Sequence, residues 1–121
     1  MIDYNIQNNK TIILKGKGVI KQIKIDEITH IKCDSYLSTF YYSDNRKPEI
    51  YSTLLKEIEK EVGDLGFIRI NRNELINMRF INYIKSKQQR TIYLDNKTEF
   101  HVSRYRWRSL KCIINNQFLK L

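Results

Sequence analysis

Short stretches in which apolar and polar residues alternate recur along most of the chain. Alternation of this kind, rich in β-branched and aromatic residues, is typical of strands that bury one face in a core. Such alternation, or a run of apolar, β-branched and aromatic residues, predicts strands at residues 11–14, 19–25, 28–33, 37–42, 67–71, 80–84, 91–94 and 98–102. Residues 2–8 alternate more loosely and are expected to form a strand or an arm, and residues 95–97 a hairpin turn.

Two segments instead repeat apolar residues every three or four positions, which predicts helices. The first is expected to begin at Ser52 as its N-cap and to end at Gly63 and Gly66, and the second to begin at Ser103. Their apolar faces are Leu54, Leu55, Ile58 and Val62 in the first, and Trp107, Leu110, Ile113 and Ile114 in the second. The predicted fold is mainly β, with antiparallel sheets of short strands, one mid-chain helix and one C-terminal helix.

The length of 121 residues, with one proline and four glycines, predicts a single domain over residues 1–121 whose core spans about residues 10–115. A chain of this size buries enough apolar surface to fold without a disulfide or a metal ion. No apolar run is long enough to cross a bilayer, and Met1 is followed by polar residues rather than by a signal peptide. A cytoplasmic location with no membrane partner is therefore expected.

Few side chains have the spacing that catalysis or metal binding requires. Cys33 and Cys112 are expected to be buried as small hydrophobic residues, with a redox pair left open. His30 and His101 lie in separate predicted strands without a third ligand, so both are expected to be structural. The chain has no glycine-rich phosphate loop, no His-Glu-x-x-His motif and no nucleophile elbow. We therefore expect no enzyme activity, no catalytic residue, no metal and no cofactor.

The basic charge of the chain is concentrated in its second half. The formal net charge is +9, from 22 Lys and Arg against 13 Asp and Glu. Residues 1–61 hold 10 basic and 9 acidic side chains, a net of +1, whereas residues 62–121 hold 12 and 4, a net of +8. A field of this kind attracts polyanions and speeds their arrival, although basic charge alone can also serve solubility.

The segment from residue 67 to residue 77 lies at the start of this basic half. It alternates through Ile70, continues with the polar run Asn71, Arg72, Asn73 and Glu74, and then returns to apolar residues. This pattern predicts a strand whose polar tip is held between buried residues, with one face of the strand outward. Arg and Asn are the side chains that form bidentate contacts with guanine and adenine edges, so the tip is a candidate for reading bases.

The same segment resembles the central motif of the LytTR DNA-binding domain, which reads Phe-x-Arg-Ile-His-Arg-Ser, a hydrophobic stretch, then Asn. The positions that fit are Phe67, Arg69, Ile70, Arg72, Leu75, Ile76 and Asn77. Asn71 and Asn73 stand where the family has His and Ser, and Asn supplies hydrogen bonds but does not titrate. Residues 23–31 resemble the family's entry strands and residues 100–104 its exit into the final helix.

The resemblance implies that residues 34–36, 71–73 and 103–106 contact DNA through loops that enter successive major grooves. The side chains assigned to bases are Asn71, Arg72, Tyr36, Arg104 and Arg106. The side chains assigned to phosphates are Ser35, Arg69, Asn73, Lys85, Lys87, Ser103 and Arg108. Turn formation by Asn71 and Asn73, and a solvated position for Arg69, stay open as alternatives. Asn77 is expected to be a buried polar brace for the loop rather than a base reader.

The sequence therefore favours a bacterial transcription regulator that binds double-stranded promoter DNA in a sequence-specific way. The resemblance further implies paired binding to repeats, so a dimer on DNA, and a link to a receiver domain or another partner regulator. One alternative is a module of the same fold that controls a partner regulator without reading DNA. Another is a nonspecific binder of RNA or single strands that uses the eight tyrosines and the basic charge.

Overall fold

The computed structural model describes residues 10–16, 18–87, 89–94 and 98–117, with side chains described as far as residue 114. The strand or arm predicted at residues 2–8 and the hairpin turn predicted at residues 95–97 lie outside these residues. The described chain contains ten strands, all paired antiparallel, and two helices, which confirms the predicted mainly β class with two helices. Within it, no helix is long and apolar enough to cross a membrane.

A five-stranded antiparallel sheet forms the middle layer, in the order β5-β4-β3-β7-β6. Its strands are β3 (Ile28–Asp34), β4 (Leu37–Tyr42), β5 (Glu49–Tyr51), β6 (Phe67–Asn71) and β7 (Glu74–Asn77). A hairpin of β1 (Thr11–Gly16) and β2 (Val19–Lys24) precedes it, and a sheet of β8 (Ile81–Lys85), β9 (Thr91–Leu94) and β10 (Glu99–His101) follows it. The helices are α1 (Leu55–Val62), between β5 and β6, and α2 (Arg104–Gln117), after β10.

Two apolar cores lie on opposite faces of the five-stranded sheet. The first packs the β1–β2 hairpin and α1 against residues such as Ile31, Phe40 and Phe67. The second packs the three-stranded sheet and α2 against residues such as Ile68 and Ile76. Since successive residues of a strand point to opposite faces, β6 is buried on both sides rather than on the one side that its alternation predicted.

The mid-chain helix begins later than predicted. Leu54, not Ser52, precedes its first turn, and no side chain caps it. Residues 49–51, which the sequence pattern did not predict as a strand, form β5 at the edge of the sheet and delay the start of the helix. After Gly63 the chain continues in a short 3-10 turn, and Gly66 then adopts φ 96°, a left-handed conformation that glycine accepts at little cost.

The two cysteines are free thiols in different surroundings. Cys33 is buried in the first core, as predicted. Cys112 is exposed on α2, so the prediction of its burial was wrong. An α-helix turns about 100° per residue, which places Cys112 about 200° from the buried Leu110, on the opposite face.

Candidate nucleic-acid interface

Four connections between elements meet at one end of the two larger sheets. They are the β3–β4 turn (residues 34–37), the β6–β7 turn (71–74), the β8–β9 connection (86–90) and the β10–α2 junction (102–106). We call this part of the molecule the loop end. Backbone hydrogen bonds join the four connections in sequence: Cys33 N to Asn73 O at 2.7 Å, Ser103 N to Ile70 O at 2.8 Å and Val102 N to Arg90 O at 2.9 Å.

The β3–β4 turn projects an aromatic side chain into solvent. Asp34 and Leu37 are paired across a two-residue loop, and Ser35 has φ 62°, in the positive region that tight hairpins require. The Cys33 thiol donates to Ser35 O at 2.9 Å from beneath the turn. Tyr36 is consequently 64% exposed at the tip, and Ser35 is exposed beside it.

The Asn71 side chain is fully engaged within the protein. Its Nδ2 donates to Glu74 Oε1 at 2.8 Å and to His101 O at 2.9 Å, across to β10. Its Oδ1 accepts from the Asn73 backbone N at 2.8 Å. Asn71 therefore forms the turn, which was the alternative that the sequence left open, and in this arrangement both amide hydrogens point into the protein rather than toward a ligand.

The Arg69 side chain also stabilises the β6–β7 turn, by binding its backbone oxygens. Its Nε donates to Asn71 O at 3.1 Å and its Nη2 to Arg72 O at 2.7 Å. Its Nη1 forms an ion pair with Glu59 Oε1 of α1 at 2.9 Å. With a side chain only 16% exposed, Arg69 is less available to a phosphate than its place in the motif implied, and that contact stays a prediction.

Arg72 differs from Arg69 and Asn71 because its side chain is exposed at the tip of the β6–β7 turn. It forms no hydrogen bond or ion pair with any described residue; only its backbone oxygen is bound, by Arg69. The Asn73 side chain is also exposed, while its backbone is held on both sides by Asn71 and Cys33. The turn thus presents a free guanidinium group on a braced backbone.

The β10–α2 junction begins with the predicted N-cap. Ser103 Oγ accepts from Arg106 N at 3.1 Å, which leaves the hydroxyl hydrogen free to donate outward. Arg104 and Arg108 are exposed, whereas Arg106 is half-buried and lines the groove between α1 and α2. Tyr105 is 83% exposed beside them; it lies in the segment 103–106 that the resemblance implied would contact DNA, but the sequence assigned it no contact of its own.

Lys85 and Lys87 border the β8–β9 connection and are both exposed. Lys85 Nζ lies 5.4 Å from the ring centroid of Tyr93, a cation–π contact on the outer face of the three-stranded sheet. Arg90, which sequence reasoning also missed, donates from Nε to Val102 O at 3.2 Å and ties this connection to the β10–α2 junction. The contact joins residues 12 apart, and no local pattern indicates it.

His30, a candidate metal ligand or catalytic residue by type, has a structural role. His30 is buried, stacks on the Tyr41 ring with centroids 4.2 Å apart, and contacts the edge of Phe100 of β10. Its Nδ1 shares a hydrogen bond with Thr29 Oγ1 at 3.0 Å. Burial, helped by the nearby Lys32, lowers the pKa of His30 to about 4. Among the described residues, no group of three or more His, Cys, Asp or Glu could hold a metal ion.

A mainly β domain that gathers exposed cations, amides and tyrosines on braced turns at one end has the features of a nucleic-acid-binding domain that works with loops rather than with a helix. The family model described as the LytTr DNA-binding domain matches residues 18–115. The chain therefore belongs to the LytTR family of DNA-binding domains, and it is a DNA-binding regulator domain in that general sense.

The fold is also similar to a solved structure, described as the LytTr DNA-binding domain of a putative methyl-accepting/DNA response regulator from Bacillus cereus. The TM-score is 0.71 at 15% sequence identity, and the match covers 86% of this chain and 95% of that one. At this identity the likeness confirms the mainly β antiparallel fold. The search of curated proteins gave no match.

Proposed function

We propose that this domain binds double-stranded DNA in a sequence-specific way, with the loop end in the major groove, and regulates transcription. The observation that supports this most directly is the exposed Arg72 on a turn that is hydrogen-bonded to the β3–β4 turn and the β10–α2 junction. Three neighbouring segments of one rigid end can then contact one duplex together.

In this proposal Arg72 is the principal base reader, because its guanidinium group is free to bind guanine O6 and N7 in a bidentate way. Tyr36 and Arg104 contact bases on either side, and Arg106 contacts them only if it leaves the groove between the helices. Asn71 and Arg69 set the conformation of the turn, since their donors are engaged within the protein.

Polar and basic groups around these readers, all exposed except the half-buried Ser103, suit phosphate contacts, which fix the register of a protein on DNA. We assign this role to the side chains of Ser35, Asn73, Lys85, Lys87, Ser103 and Arg108. Each cation that neutralises a phosphate releases counterions and makes binding weaker at higher salt.

We further propose that two copies bind paired repeats, as the family resemblance implies, and that the domain works in the cytoplasm under the control of a receiver domain or another partner regulator. One exposed reader turn per domain recognises only a few base pairs. Two domains on adjacent repeats would multiply that small preference through their joint binding.

The test begins with selection of preferred sites from a pool of randomised duplexes. The selected duplex, a scrambled duplex and the corresponding single strand are then titrated by fluorescence anisotropy over a range of salt. Tight binding to the selected duplex alone supports the proposal. Binding that is indifferent to sequence and steep in salt supports a nonspecific binder instead. Absence of binding to any nucleic acid supports a module that acts only on a partner protein.

A further inference from the structure

Helix α1 is connected to the candidate reader turn by a single ion pair. Glu59 Oε1 lies 2.9 Å from Arg69 Nη1, and the other donors of the Arg69 guanidinium group bind Asn71 O and Arg72 O. The two side chains are 34% and 16% exposed, so water screens this pair less than it screens the exposed pair of Lys60 and Glu57 on the same helix.

We infer that Glu59 is a positioning residue for DNA recognition, which acts through Arg69 to hold the backbone that presents Arg72. This inference rests on the proposed function. Glu59 itself lies on α1 and would contact no base. Its carboxylate fixes one edge of the Arg69 guanidinium group, and this orientation aims the other edge at the carbonyl oxygens of the turn.

The chemistry of the guanidinium group supports this role. It is planar and presents its donors in a fixed fork, so the group cannot reorient one donor while it keeps the other two bonds. Loss of the Glu59 carboxylate weakens the restraint that holds the Arg69 guanidinium group in its observed plane. Arg72 O then loses its partner for part of the time, and the turn fluctuates around the reader side chain.

A simple charge effect has the opposite sign, which makes the inference testable. Removing a carboxylate from a chain of net charge +9 strengthens its attraction to any polyanion. If Glu59 acts only through its charge, Glu59→Gln tightens binding to every duplex. If it positions the turn, Glu59→Gln weakens binding to the preferred duplex and leaves scrambled duplex unweakened.

The experiment compares Glu59→Gln with Glu61→Gln, a matched control that removes the same charge from an exposed position of the same helix. We expect the affinity ratio between preferred and scrambled duplex to fall about three- to tenfold in Glu59→Gln, because a neutral Gln oxygen accepts from Arg69 more weakly than the carboxylate does. We expect no fall in Glu61→Gln. An equal ratio in the two variants overturns the inference.

Arg69→Lys provides a second variant, which keeps the charge and can still pair with Glu59. A lysine has no fork with which to hold two carbonyl oxygens as well, yet it remains a good ligand for phosphate. We expect the same loss of preference as in Glu59→Gln. An unchanged ratio would instead indicate that position 69 contributes a cation to a phosphate, and would contradict its bracing role.

Hydrogen exchange of the Asn73 amide gives a readout that needs no DNA. This amide donates to Asn71 Oδ1 within the braced turn, and we expect it to exchange faster in Glu59→Gln than in Glu61→Gln at equal global stability. Equal exchange rates overturn the inference. If the wild-type protein does not prefer any duplex but the Asn73 amide behaves as expected, the proposed function fails while the bracing of the turn by Glu59 stands.

Discussion

The two ends of the five-stranded sheet use the same kinds of side chain in different ways. At the end opposite the loop end, Arg46 pairs with Asp44 at 2.8 Å and with Glu27 at 2.6 Å, and Arg79 pairs with Asp26 at 2.6 Å. At the loop end, neither Arg72 nor Arg104 forms an ion pair with a described residue. Arg46 and Arg79 are thus paired at one end, whereas Arg72 and Arg104 are left for a ligand at the other.

Ion pairs on a surface contribute little to stability, so the paired end differs from the loop end mainly in its field. Because the arginines are paired at one end and unpaired at the other, the loop end attracts a polyanion more strongly.

At both ends, however, an asparagine side chain connects separate segments of the chain. At the opposite end Asn77 donates to Ile28 O at 2.9 Å and accepts from Arg79 N at 3.1 Å. At the loop end Asn71 donates to His101 O and so connects β10 to the β6–β7 turn. Asn77 is buried, as predicted, but it braces the end opposite the loop that it was expected to hold.

The loops meet at one end only if the two larger sheets stay packed against each other. His30 of β3 contacts the ring of Phe100 of β10 where these two sheets meet. Its pKa is lowered by burial to about 4, below the ordinary 6.5. Below pH 6.5 the unfolded chain therefore binds a proton that the folded chain excludes. We expect the free energy of unfolding to fall by about 3 kcal/mol as the pH drops from 6.5 to 4, measured by urea unfolding.

The control for this prediction is His30→Phe, which keeps a ring between Tyr41 and Phe100 but cannot titrate. The variant should lack the part of the pH dependence that His30 contributes. If the wild-type protein and His30→Phe lose stability in parallel between pH 6.5 and 4, protonation of His30 does not cause the loss, and carboxylates elsewhere account for it.

The two ends can be compared directly by removing one arginine from each. Arg72→Ala should weaken binding to the preferred duplex by roughly 1–3 kcal/mol and relax the preference at one base position. Arg79→Ala removes the same charge at the opposite end, where the side chain is 58% exposed, and should leave the preference unchanged. Competition titrations with single-base variants of the preferred site measure both. Equal losses in the two variants would mean that only net charge matters.

A substitution at Asn71 tests how much its side-chain hydrogen bonds stabilise the loop end. Asn71→Ala removes the bonds to Glu74, His101 and Asn73, and we expect a loss of about 1–2 kcal/mol in the free energy of unfolding. Asn73→Ala, at an exposed side chain, should change stability by less than about 0.5 kcal/mol. If Asn71→Ala instead keeps full stability and loses preference at one base pair, Asn71 reads DNA as the resemblance implied.

Asn71 also shows where sequence reasoning stops. The pattern identified β4 at residues 37–42 and β9 at residues 91–94 to the residue, because β-branched and aromatic residues there are followed by predicted turn residues. It identified the polar tip as well. It could not tell whether the Asn71 amide faces a base or the protein, because its partner His101 lies 30 residues away in another sheet. A sequence lists donors and acceptors, whereas the tertiary fold pairs them.

The same reason explains the other differences. Phe67 and Ile68 are both buried because β6 lies between two cores, and this layering depends on where the three-stranded sheet and α2 pack. Ser52 is a good N-cap by type, but β5 uses the residues just before it as an edge strand. Local preference is a weak guide where pairing with a distant strand decides the structure. By contrast, Ser103 caps α2 as predicted, since its partner Arg106 is only three residues away.

The smallest expected effect concerns a cation assigned to phosphate rather than to a base. Lys87→Ala should weaken binding to preferred and scrambled duplexes by the same factor, and it should reduce the slope of log affinity against log salt by about 0.9, the value for one phosphate contact. Lys24→Ala is the matched control, an exposed lysine where β2 ends beside the opposite end of the sheet. Its slope should stay that of the wild-type protein, since it would contact no phosphate. A slope that falls equally in both variants would show that the DNA contacts the two ends alike, which is incompatible with recognition by the loop end.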